Sequence, residues 1–269
     1  MTGIGGANGI AASGAAESGG TASGVVSGGG VASAAVESGA AAGLLGGLLP
    51  AGTEVCELFA DPDDVTSVLY PEEAALVAGA VDKRRREFAA VRLCARTALA
   101  RLGVAPAPIL PGERGAPGWP DGIVGSMTHC DGYRGAVVAR RASVVSIGVD
   151  AEPDGPLPEG IEESVMLPEE RATLARLAAH RPDVSWDRLM FSAKESVYKA
   201  WFPLTGRWLD FSECVIDFDA DRGTLTGTLL VPGPVVDGER LGRFSGRWGV
   251  RGGAQGQGHV ATVVAVTPR

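Results

Sequence analysis

Residues 146–155, SIGVDAEPDG, decide how the chain is read. Val144, Val145, Ile147 and Val149 make a β-branched apolar run of the kind that forms a buried strand, and the run ends in two acids, Asp150 and Glu152, before Pro153. Successive strand side chains alternate faces, so Asp150 and Glu152 point to the same side with Cα atoms about 6–7 Å apart. Like charges at that spacing repel unless a cation lies between them. The alternative is a pair of solvated acids at a strand end before a proline turn.

A second stretch, WDRLMFSAKESVYKAWFPL (residues 186–204), reads as a helix ended by Pro203. Glu195 and Lys199 are four apart and fall within about 40° on one face. An exposed pair of this kind stabilises a helix by only a few tenths of a kcal/mol. Here Phe191, Tyr198 and Phe202 share that side, while Ala193, Val197, Ala200 and Trp201 cover much of the other. A helix apolar on both sides is sandwiched, and a sandwiched Glu and Lys need partners. The chain holds only three lysines, Lys83, Lys194 and Lys199, and two of them lie in this one helix.

Upstream, VCELFA reads as a strand starting near Glu54, and PEEAALVAGAVDKRRREFAAVRLCARTALARLGV as two helices, the second from about Asp82 to Leu102. Its stripe of Phe88, Val91, Ala95, Leu99 and Leu102 faces a core. Arg84, Arg85, Arg86, Arg92 and Arg96 make either a solvated basic face or an anion site, since guanidinium forks match phosphate oxygens. After a Gly- and Pro-rich loop, THCDGY places Thr128 and His129 beside a hairpin tip at Asp131–Gly132. Residues 209–269 read as short strands, and no internal repeat is apparent.

Residues 1–50 are Gly, Ala and Ser with scattered Val, and hold 15 of the 40 glycines. Such a composition cannot offset the entropy of ordering, so residues 1–53 are expected to be a disordered extension. No basic n-region and no long apolar run suggests a signal peptide or a membrane span. The net charge of -8 is uneven: residues 1–82 carry 10 acids and no base, the remainder 24 bases and 22 acids. A near-neutral body with a local basic patch suits an anionic ligand or an acidic partner, rather than nucleic acid or a membrane. Four scattered cysteines without CxxC pairing point to reduced thiols, a cytoplasmic protein and no structural zinc.

In order and spacing, THC, GVDAEP and FSAKESVYKAW resemble the 4'-phosphopantetheinyl transferases, in their larger single-chain type that includes the enterobactin synthase component D proteins and actinobacterial relatives. The resemblance covers about residues 54–269. It implies an α/β (α+β) fold of two similar halves, about 54–145 and 146–269, related by a pseudo-twofold axis, with coenzyme A bound between them. It further implies a Mg²⁺ held by Asp150, Glu152 and Glu195, and attack by a carrier-protein serine on the β-phosphate of coenzyme A, releasing 3',5'-ADP. By the same resemblance Glu195 or a metal-bound water accepts the serine proton and Lys199 meets the phosphates. Thr128, His129, Arg84 and Arg92 then bind coenzyme A. The chain departs from the pattern at Pro111, where several relatives carry a lysine, and Arg114 is the nearby substitute. The implied partners are apo acyl, peptidyl or aryl carrier proteins of fatty acid, polyketide, nonribosomal peptide or siderophore synthesis, served by a monomer. Two other readings use the same residues. A Mg²⁺-dependent diphosphate hydrolase needs further acids close by, and Asp154 and Glu159 lie beyond proline breaks. A silent coenzyme A or carrier-binding module is expected to have lost one of Asp150, Glu152, Glu195 or Lys199.

Overall fold

The computed structural model describes residues 43–252 and 258–268. Among these, two antiparallel sheets are each crossed by a twenty-residue helix. The first sheet has the order β1 (Thr53–Leu58), β3 (Tyr133–Arg140), β2 (Ile123–Cys130), with α2 (Asp82–Arg101) across it. The second runs β4 (Ser146–Pro153), β10 (His259–Val266), β9 (Arg243–Arg251), β6 (Thr224–Leu229), β5 (Cys214–Asp219), and is covered by α5 (Trp186–Thr205) and α4 (Pro168–His180), with the short α3 (Glu162–Val165) before α4 and a small ribbon of β7 (Val235–Val236) and β8 (Glu239–Arg240) between β6 and β9. The described residues therefore form a mixed α/β structure, as the resemblance implies. The prolonged α5 differs in one respect: it continues past Pro203 and stops only at Gly206, which takes a left-handed φ of 63°.

An internal repeat does exist, and it is short. α1 (Pro71–Leu76) and α4 both open with Pro-Glu-Glu, and in both the second glutamate is buried, Glu73 at 0% and Glu170 at 1% exposure. Glu73 accepts hydrogen bonds from its own N-cap amide, Tyr70 N (3.0 Å), from Ile109 N (2.8 Å) and from Arg96 of α2 (2.9 Å). Glu170 accepts from Leu167 N (2.8 Å) and Ile216 N (2.7 Å), and pairs with Lys194 of α5 at 2.8 Å. Each half thus ties a short helix, its long helix and a following segment to one carboxylate. A three-residue signature spread over two helices is too brief to register as periodicity in the sequence. It also separates the two lysines of α5, because Lys194 is a scaffold residue.

The two sheets meet at their edge strands, β2 and β4, without a ladder between them. Val149 N donates to Ser126 Oγ and Ala151 N to Thr128 Oγ1, both at 3.0 Å, so hydroxyls of β2 satisfy the edge amides of β4. Behind this seam Tyr133 and Val137 pack with Ile147, Val149 and Val263. The expected extension is shorter than residues 1–53, because residues 43–49 belong to the seam. Leu45 is fully buried there with Leu44, its amide donates to Glu57 Oε1 (2.9 Å), and the same oxygen accepts from Tyr133 OH (2.7 Å). Leucine pairs interrupted by glycines have no period, which is why composition alone misplaced them. The expectation for residues 1–42 lies outside the described residues.

On the other face of β4, Gly148 admits α5. A Cβ there would lie 2.0 Å from Ser196 O and 2.7 Å from Ala200 N. That close approach fixes how far the side chains of α5 reach toward Asp150. No described helix is long and apolar enough to cross a membrane.

Two substitutions test this packing. Gly148→Ala is expected to destabilise the fold by about 3 kcal/mol, the upper range for overpacking against backbone, as read from urea midpoints. A chain starting at residue 50 should lose roughly 3 kcal/mol relative to one starting at residue 43, from two leucines returned to water. Equal midpoints for the two chains would remove the leucines from the seam.

Candidate active site

Asp150 is 5% exposed and faces α5. Its Oδ1 accepts from Lys199 Nζ at 2.7 Å and from Thr128 Oγ1 at 3.3 Å, while Oδ2 is buried and accepts no hydrogen bond among the described residues. Glu73 and Glu170 show that this chain saturates its structural buried carboxylates. The other fully buried carboxylate oxygen without a hydrogen bond among the described residues, Asp61 Oδ1, still has Arg134 Nε 3.2 Å away. Asp150 is different, and a buried acceptor without a donor calls for a ligand.

The charges around it say the same. Burial, reinforced by Asp150, pushes Glu152 up to about 8, against the pull of Arg188 and Lys199. Burial also raises Glu195, which feels both Lys199 and Asp150. Lys199 is held above its ordinary range: burial opposes its charge, but Asp150 and Glu195 outweigh burial. Its ammonium also donates to Val149 O at 3.1 Å. Asp150, Glu152, Glu195 and Lys199 are therefore brought into one neighbourhood that is short of positive charge. Among the described residues no three His, Cys, Asp or Glu side chains stand close enough to enclose an ion. The set still suits magnesium, which is commonly held by one or two carboxylates and completes its shell with substrate phosphates and water.

His129, near the end of β2, and Arg84, in the first turn of α2, form a pair. Arg84 Nη1 lies 2.6 Å from His129 Nε2, with Glu87 Oε2 at 3.7 Å. Burial first, then Arg84 and Lys199, hold the imidazole down to about 4, so the ring is neutral at physiological pH. Two residues expected beside the ligand have other work. Thr128 spends its hydroxyl on Ala151 N and Asp150. Arg92 is buried, with Nε 3.2 Å from Ile109 O and 3.5 Å from Glu73 Oε1, and its guanidinium over the Phe88 ring. Burial lowers it to about 10. Arg114 lies 5.9 Å from the ring of Trp208, whose centroid is 4.9 Å from that of the Tyr198 ring. The residue that sequence reading missed is Arg188, whose Nη1 donates to Glu152 Oε2 at 3.3 Å. Its place seven residues before Glu195, on the same helical stripe, was the available signal.

Two family models match the chain: the 4'-phosphopantetheinyl transferase N-terminal domain over residues 72–139, and the 4'-phosphopantetheinyl transferase superfamily over residues 146–236. The chain is 61% identical over 224 residues to 4'-phosphopantetheinyl transferase Svp of Streptomyces mobaraensis, covering 83% of this chain and 89% of that one. It belongs to the 4'-phosphopantetheinyl transferase superfamily. The transferase is also 49% identical to 4'-phosphopantetheinyl transferase PptT of Mycobacterium tuberculosis over 218 residues, 78% of this chain and 94% of that one. With enterobactin synthase component D of Salmonella typhi it shares 38% identity over 121 residues, 44% of this chain and 49% of that one. As a 4'-phosphopantetheinyl transferase it is an enzyme that moves the phosphopantetheine group of coenzyme A onto carrier proteins.

The neutral imidazole has a testable signature. In the ligand-free transferase the His129 ring should titrate near pH 4 by NMR, and Arg84→Ala should raise that value by removing a neighbouring cation. Because the folded value lies below the ordinary 6.5, His129 supports folding fully above that pH, and the support fades as pH falls toward 4. Titration near 6.5 in the intact protein would separate His129 from Arg84.

Proposed function

We propose that Asp150, Glu152 and Glu195 receive the pyrophosphate of coenzyme A together with a Mg²⁺ ion. The observation that carries this reading is the buried, unpartnered Oδ2 of Asp150 amid carboxylates whose pKa values burial drives upward. Bound there, the ion would offset the negative charge that develops on the bridging oxygen as it leaves with 3',5'-ADP. Asp150 and Glu152 would hold it, with Glu195 facing them as the third carboxylate rather than enclosing the ion.

The residues of the chain divide the remaining work. Arg84 and the neutral His129 anchor a phosphate of coenzyme A, and Lys199 lends its ammonium to the diphosphate when that group arrives. Thr128 serves by holding Asp150, and Arg92 by holding Ile109 at the root of the Gly/Pro loop. Glu195 takes the proton of the carrier serine as its Oγ bonds to the β-phosphorus and the bond to the bridging oxygen of 3',5'-ADP breaks. Burial brings its basicity nearer the working pH than that of an exposed glutamate. Positioning and charge neutralisation account for most of the rate in transfers of this kind.

The carriers we assign are apo acyl, peptidyl or aryl carrier domains, modified by a monomer in the cytoplasm. Support for a monomer is that one chain supplies every residue named above. Support for a reducing compartment is that all four cysteines are unpaired.

Incubation with coenzyme A, Mg²⁺ and an apo carrier, followed by weighing the carrier, tests the reading. Glu195→Gln should keep near-normal coenzyme A and Mg²⁺ affinity while turnover falls about 10²-fold or more. Asp150→Ala should fold and lose Mg²⁺-dependent turnover. Unimpaired turnover in Asp150→Ala would dismiss the ion site, and strong loss of Mg²⁺ affinity in Glu195→Gln would make Glu195 a ligand before a base.

A further inference from the structure

Arg188 has no part in the roles above, yet it binds the site from the far end of α5. Its side chain is largely buried. Nη1 donates to Glu152 Oε2 at 3.3 Å, Nε to Gly155 O at 3.2 Å and Nη2 to Pro156 O at 2.5 Å. The preceding residue, Asp187, accepts from Leu157 N at 2.7 Å. The first turn of α5 thus grips three consecutive residues of the turn that leaves β4, and the same guanidinium holds the last acid of that strand.

Helical spacing explains why Arg188 is suited to this. Arg188, Glu195 and Lys199 lie on one stripe, separated by about two and three full turns. Eleven residues of helix span about 16 Å, whereas Asp150 and Glu152 are about 6–7 Å apart on the strand. Two long side chains therefore converge from opposite ends, Lys199 on Asp150 and Arg188 on Glu152, and Glu195 faces the space between. A counter-ion for Glu152 needs one contact. A planar fork that serves a carboxylate and two carbonyls at once does something more: it fixes direction.

We infer that Arg188 is a positioning residue for Glu152. It occupies Oε2, anchors Gly155 and Pro156 so that the strand end cannot swing, and leaves Oε1 to an incoming divalent cation. The inference rests on the reading that Asp150 and Glu152 hold such a cation. Hydrogen-bonded partners of ligating carboxylates act in this way, and losing one weakens metal affinity about 10–100-fold.

Manganese serves as the probe, titrated into the full chain with coenzyme A and no carrier, with free Mn²⁺ followed by its EPR signal. Wild-type protein should take up Mn²⁺ saturably, and Arg188→Met should bind it about tenfold or more weakly. Arg188→Lys keeps the charge but cannot reach three acceptors, so it too should bind weakly, and it carries the test should Arg188→Met not fold. Coenzyme A affinity without metal should be unchanged in both. If wild type takes up no Mn²⁺, the divalent-cation reading fails and the positioning role falls with it. If wild type binds and Arg188→Met binds equally or more tightly, only the positioning role is overturned, since a mere counter-ion competes with metal and its loss strengthens binding. Full recovery in Arg188→Lys, or an equal loss of metal-free coenzyme A affinity, overturns it as well.

Discussion

The seam between β2 and β4 is the constraint on which the rest of this transferase depends. Two edge strands from two sheets approach, and hydroxyls rather than a backbone ladder close the amides of Val149 and Ala151. Thr128 does this while donating to Asp150, so the contact that joins the halves also orients the acid at the centre of the site. On the opposite face Gly148 lets the backbone of α5 come close enough for Lys199 to reach the same oxygen. Asp150 is thereby held by one side chain from each half, with its second oxygen left over for a ligand.

Polar burial is used in two ways. Glu57, Glu73 and Glu170 are buried carboxylates that receive main-chain amides, a hydroxyl or a cation, and each joins segments distant in sequence. Breaking such a group leaves an uncompensated charge, which makes these carboxylates fastenings rather than sites. Asp150, Glu152 and Glu195 are held by fewer donors than their charge demands. The difference lies in saturation, and it sets these three acids apart from the scaffold carboxylates.

Much of this was legible in the sequence, and the parts that were not have definite causes. Asp150 and Glu152 lie on a strand and Glu195 and Lys199 on one helix, as their patterns lead one to expect, because strand alternation and helical spacing fix faces. The arginine row of α2 was visible, but its use was not: Arg92 and Arg96 turn to Glu73, a partner about twenty residues away on another helix. Thr128 lay where expected, and only the meeting of two sheets shows that its hydroxyl is taken. Leu44 and Leu45 were hidden by their glycine-rich surroundings, since burial supplied by another segment leaves no local period. The paired Pro-Glu-Glu helices carry the relation between the halves in a few residues, below what composition or periodicity can detect.

Closing β4 with hydroxyls has one more effect. An edge strand with open amides is a template for pairing with other chains, and proteins blunt such edges with charge, proline or cover. Here each half covers the other: Ser126 and Thr128 cap β4, and β4 in turn lies along the open side of β2. A half expressed alone would present a long, β-branched edge to its neighbours, so the two halves protect each other from aggregation. The seam between them is therefore also a shield, and halves made as separate chains would need some other cover for the same edges.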